Sequence, residues 1–154
     1  MANTTTYYNH TAKLFLNQEV AINNIKAMLL DNNKAALFDA TDTTVNAVAG
    51  ALAGSPLERA NEVYGFGWTQ GGELLANVAV TVVATNDALL DADDISITPT
   101  GGDIGPTYAA LIYDATSSKP LAFNDFGEVK QAGVGTLFLL NFPNGVISMT
   151  YTPS

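Results

Sequence analysis

The sequence predicts a mainly β fold, an antiparallel β-sandwich or jelly-roll-like single domain with a short helical insertion near residues 43–60. Three observations carry this. Apolar residues alternate with polar ones along residues 76–84 and again at Ile95 and Ile97, which is the period of a half-buried strand. Turn signals recur between such runs, as Gly-Gly at 71 and 101 and as Pro143-Asn144-Gly145. Only one segment, around Val45, Val48 and Leu52, carries a convincing helical stripe. This order of elements argues against alternating βαβ units, and a barrel is the other closed arrangement it allows.

Taken in order, residues 1–9 are polar and aromatic without periodicity and read as an N-terminal arm, either a binding arm or a frayed end. Residues 10–154 read as one β-rich domain. From Lys13 the alternation of Leu14 and Leu16 predicts a strand, and Ile25 to Leu30 a second, closed by a turn at Asp31-Asn32-Asn33. Thr41, Asp42 or Thr43 can cap the helix, Gly54 can stop it, and Ser55-Pro56-Leu57-Glu58 reads as a fresh helical turn with a capping box. Along 76–84 the even positions Ala76, Val78, Val80, Val82 and Ala84 are expected to face inward. Tyr108 to Tyr113 is apolar on both faces, which predicts a central strand. Leu137 to Phe142 and Val146 to Tyr151, separated by Pro143-Asn144-Gly145, are expected to form a hairpin.

A chain of 154 residues is long enough for one domain that buries roughly 70% of its unfolded surface. Without cysteine it has no disulfide or thiolate site, so packing and partners must stabilise it. Six Lys and Arg against fifteen Asp and Glu give a net charge of −9, with no run of basic residues, which disfavours phosphate-backbone binding to nucleic acid. Charged residues are 14% of the chain, against about 25% in ordinary soluble domains. With a mean hydropathy of +0.16, that composition suits a surface covered by neighbours. No apolar run approaches the ~20 residues of a membrane span, and the first residues lack the regions of a signal peptide, so synthesis and first action in a cytoplasm are expected.

Few residues suggest chemistry. His10 is the only histidine and no Gly-x-Ser-x-Gly elbow accompanies it, so no catalytic set is expected. Gly65-Phe66-Gly67-Trp68-Thr69-Gln70-Gly71-Gly72 departs from a dinucleotide fingerprint at Gln70 and reads as a tight turn or bulge, with no cofactor implied. Asp87 and Asp91-Ala92-Asp93-Asp94 could offer oxygens to Ca²⁺ but lack the glycine and distal Glu of an EF-hand loop; a solvated turn is the expected reading, with no metal. Asp114 and Asp125 are read as Asx-turn residues. The aromatics either fill one large core or lie partly at contacts with other chains, and Tyr7, Tyr8, His10, Phe66 and Trp68 are the candidate interface residues.

Asn9-His10-Thr11-Ala12-Lys13, Ile25 to Asp31, Glu62 to Leu74, Asp91 to Ile95, Ala109 to Asp114, Asp125-Phe126-Gly127 and Asn144-Gly145-Val146 together make the chain resemble small virion structural proteins of tailed bacteriophages. The likeness runs through most of the chain. It departs at Gly67-Trp68, where Gly-Tyr is usual, and at the 43–60 insertion. The resemblance implies a β-rich, non-enzymatic protein of the virion, assembled in the host bacterial cytoplasm. Its expected role is capsid decoration or cement, binding the major capsid protein or other virion proteins as a homo-oligomer, with no nucleic acid or membrane partner. A neck or tail protein and a carbohydrate-binding receptor module are the alternatives.

Overall fold

The computed structural model describes residues 4–31, 38–52, 55–84 and 87–150. In chain order the elements are β1 (Thr4–Tyr7), α1 (Thr11–Leu16), a 3₁₀ turn (Ile22–Asn24), β2 (Ile25–Leu30), α2 (Val45–Ala49), β3 (Ala51–Leu52), β4 (Ser55–Arg59), β5 (Glu62–Val63), β6 (Glu73–Leu74), β7 (Ala79–Ala84), β8 (Asp87–Asp91), β9 (Ile95–Ile97), β10 (Ile104–Asp114), β11 (Lys119–Ala132), β12 (Phe138–Leu140) and β13 (Ile147–Thr150). The fold is mainly β, antiparallel and sandwich-like. A six-stranded sheet runs β1-β11-β10-β2-β5, with β6 also on β2, and is accompanied by a three-stranded sheet β13-β8-β7 and the pairs β12-β9 and β3-β4.

The large sheet is buried on both faces, which is why β10 reads as apolar throughout and sits between β11 and β2. On one face Ile25, Ala27, Leu29, Ala110, Ile112 and Phe126 pack with Leu14 of α1, with Leu90, Phe138 and Ile147 of the smaller sheets and with Trp68 and Phe142 from loops. On the other, Met28, Leu30, Leu111, Tyr113 and Phe123 are covered by Tyr8 and by Val45, Val48 and Ala49 of α2. Strand periodicity therefore sorts successive residues of β2 into two separate cores.

Several expectations are corrected. Residues 4–7 are not a free arm: β1 pairs with β11, Thr4 opposite Asp125 through Tyr7 opposite Ala122, and Tyr8 is buried behind it. Backbone pairing to a long neighbouring strand overrides the lack of apolar periodicity in this segment. The strand expected from Lys13 is helix α1, whose Thr11 and Leu14 turn inward at helical spacing while Leu16 is exposed. Among the described residues of 43–60 only Val45–Ala49 is helical, capped by Thr44, whose hydroxyl accepts from the Ala47 N–H at 3.2 Å. Gly50, at φ 75°, ends the helix, and the expected second helical turn at 55–58 is strand β4, paired with β3. Gly54 and the turn at Asn32-Asn33 lie outside the described residues.

The expected hairpin at 143–145 is also corrected. Both flanking strands exist, but β12 pairs with β9 and β13 with β8, so the turn carries the chain from one small sheet to another. Of the even positions in 76–84, Ala76, Val80 and Val82 are exposed, and so are Ala79 and Thr81, so neither face of this part of β7 is covered.

Candidate functional site

The five candidate interface residues do not form one surface. Tyr8 and Trp68 are 2% exposed and belong to the two cores. Tyr8 stacks on His10 at 6.1 Å and meets Phe38 edge-on, and Trp68 packs edge-on against Phe138 at 5.5 Å. The His10 Nε2 is 2.7 Å from the Pro120 carbonyl oxygen, tying α1 to the start of β11. Tyr7 is partly exposed, but its hydroxyl accepts from the Ser148 N–H at 3.1 Å and is 3.2 Å from the Ser148 Oγ, so it clips β1 to β13. Phe66 alone has a largely free ring, 49% exposed.

The glycine cluster explains that exposure. Gly65 and Trp68 exchange backbone hydrogen bonds of 2.9 and 3.0 Å across a two-residue turn. Phe66 and Gly67 have φ 56° and 117°, the positive φ at both central residues that such tight turns require. Successive side chains then part: Trp68 drives into the core while Phe66 is held out against Gly102.

Two further loops join this turn. The Thr100 N–H donates to the Phe66 carbonyl at 3.0 Å, and the Gly135 N–H to the Pro99 carbonyl at 3.3 Å. These contacts join residues 64–69, 98–102 and 133–137, none of which is charged, with the Asp103 carboxylate at their margin beside Gly133. From these loops project Phe66, Val134 (61% exposed) and Leu137 (55% exposed), with Tyr64 and Leu139 also exposed nearby in the chain. Exposed large apolar side chains gathered on joined loops are a feature of surfaces that meet other proteins. Val134 and Leu137 carry no contact signal in the sequence, because a valine between glycines and a leucine opening an apolar run look like ordinary loop and strand text.

The carboxylates of the 91–94 segment are engaged within the fold. The Asp91 Oδ1 accepts from the Ala92 N–H, the Asp93 Oδ2 from the Asn77 side chain and the Asp94 Oδ1 from the Phe142 N–H. Among the described residues no three metal-ligating side chains gather. The Thr116 and Gly127 N–H groups close Asx turns on Asp114 and Asp125 at 2.9 and 2.8 Å. A cleft of about 340 Å³ lies between the 141–146 loop and the sheet, lined by Thr5, Asn124, Asn141 and Asn144. Asn124, 7% exposed, leaves its Oδ1 without a hydrogen-bond partner.

The chain is thus an antiparallel, sandwich-like β protein with exposed apolar side chains on one cluster of loops. Comparison with protein-family models, with curated proteins and with solved structures returns no match.

Proposed function

We propose that the protein is a virion structural component of the tailed-bacteriophage kind that works through protein–protein contacts, decorating and stabilising a head shell by binding the major capsid protein. The observation that carries this reading is the cluster of three joined loops from which Phe66, Val134 and Leu137 project. The motif order described above supports the same class. A cement protein adheres through such a patch while the acidic remainder keeps it soluble and apart from its like-charged neighbours. Self-association through the patch, giving a homo-oligomer, belongs to the same reading.

A carbohydrate-binding receptor module would work through an aromatic and carboxylate cleft. The cleft beside Asp87 and Asp91 has Phe142 as its aromatic liner, and that ring is buried. The head-shell reading is therefore preferred. Quantitative mass spectrometry of purified particles tests it: hundreds of copies per particle are expected, a few copies would move the protein to the neck or tail, and its absence from particles would overturn the proposal.

A further inference from the structure

The acidic chain has six basic residues, and the fold brings two of them, 33 positions apart in sequence, to one cleft. Lys26 on β2 lies directly opposite Tyr113 on β10, on the sheet face that α2 covers. Arg59, at the end of β4, is held over the same place by its Nε, which donates to the Asn46 Oδ1 of α2 at 3.1 Å. Gln70, Gly71, Ala115 and Ser118 complete the lining of a space of about 220 Å³.

The walls are fixed by the backbone. The Tyr113 hydroxyl donates to the Gly71 carbonyl, and the Gly71 N–H donates to the Glu62 Oε1. The Ser118 carbonyl accepts from the Val45 N–H at 3.0 Å, which anchors the 115–118 turn against α2. The cleft is thus preformed rather than dependent on closure of a loop.

Among the described residues its two cations lie in no ion pair, unlike Lys119 and Lys130. Lys119 pairs with Glu19 and Lys130 with Glu128. Glu62 is the nearby carboxylate: it accepts from the Gly71 N–H and feels the charge of both Arg59 and Lys26, but it does not line the cleft. With Nε engaged by Asn46, Arg59 keeps its terminal nitrogens for a bidentate acceptor; Lys26 adds a point charge and Ser118 a hydroxyl.

From this convergence of Lys26, Arg59 and Ser118 in a preformed cleft, we infer a binding site for a small oxyanion of the phosphate or sulfate class, free or as the head of a small molecule. The volume fits that class, being below the roughly 300–1,000 Å³ of pockets that enclose drug-sized ligands. The inference is independent of any place in a virus particle.

The test is a titration of the full chain with inorganic phosphate, followed by backbone amide NMR at constant ionic strength set with sodium chloride. A second arm uses phenyl phosphate. Saturable shifts are expected at Gly71, Ala115 and Ser118, with Arg59→Gln and Lys26→Gln each weakening the affinity at least tenfold and Lys130→Gln leaving it unchanged. Tighter binding of phenyl phosphate would assign the site to the ionic head of a small molecule, and equal binding to the free ion. Each variant's own amide spectrum reports whether the fold is kept. Shifts no larger than those caused by chloride, or undiminished affinity in a folded Arg59→Gln or Lys26→Gln protein, would overturn the assignment.

Discussion

Replacing Gly72 by alanine should be among the most damaging one-carbon changes available in this chain. Gly72 precedes β6, at φ 89°, and a Cβ there would press on the Ala27 carbonyl oxygen and lie 2.7 Å from its carbon and 3.0 Å from the Met28 nitrogen. All three are backbone atoms of a strand held on both sides, so none can swing away. The left-handed conformation costs a non-glycine residue about 1–2 kcal/mol. Forcing the backbones apart adds about 1–3 kcal/mol, the usual range for overpacking. The sum is about 2–5 kcal/mol, a fall in Tm of roughly 4–20 °C for a domain of this size. Gly101→Ala is the control, because Gly101 has φ 78° and open space where its Cβ would go; it should lose only the backbone part, roughly 2–8 °C. Thermal melts of the two variants beside the wild type decide the matter. A Gly72→Ala loss no larger than that of Gly101→Ala would refute the close-approach argument.

Further outcomes follow from particular side chains. Tyr8→Ala should cost about 3–5 kcal/mol in chemical denaturation, as for other large buried rings, whereas Tyr8→Phe should be neutral or stabilising by up to about 1 kcal/mol because the buried hydroxyl has no partner. Burial, reinforced by Asp42 and Asp39, holds the Tyr8 hydroxyl well above the ordinary tyrosine range. The folded state therefore keeps a proton that the unfolded chain releases, and stability should fall as pH rises above about 10, less steeply in Tyr8→Phe. Burial likewise raises the Glu62 carboxyl against the opposing pull of the Gly71 N–H, Arg59 and Lys26. Its contribution is fully present below the ordinary carboxylate range and lost as pH rises through its raised folded value, so Glu62→Gln should flatten the stability profile of melts on the acidic side of neutrality. Gly67→Val should lower the Tm, since its Cβ would sit 2.9 Å from an Ile97 methyl at φ 117°. Deleting residues 2–9 should lower it too, by removing β1 and Tyr8 together; an unchanged melt would mean that β1 contributes nothing to the sheet.

The parts of the fold legible in sequence are those where one residue pattern decides one local structure. Ile25 to Leu30, broken only by Lys26, and Tyr108 to Tyr113 are apolar runs, and they lie on the two paired strands at the heart of the large sheet. Val45 and Val48 form the stripe of α2. Pairing partners were not legible, because strand text carries no record of its neighbour: β12 and β13 looked like a hairpin and instead join different sheets. Leu14 and Leu16 misled because two leucines at spacing two suit a strand, while the third contact that makes α1 amphipathic is Phe15, at spacing four from Thr11. Of the candidate contact residues, Phe66 is on the exposed loops and Trp68 is core, a division set by turn geometry at Gly65 and Gly67 rather than by residue type. The convergence of Lys26 and Arg59 was invisible for a related reason, since it depends on β4 returning the chain past α2.

Binding of the purified protein to shells stripped of it, compared with binding of Phe66→Ser and Leu137→Ser, tests most directly whether the loop cluster is a contact surface. Both side chains are largely solvent-exposed, so the melts should stay within a degree or two of wild type. Loss of an apolar anchor at an interface centre commonly costs 2 kcal/mol or more, and the account therefore predicts at least tenfold weaker binding by each variant. Wild-type affinity in both folded variants would contradict it.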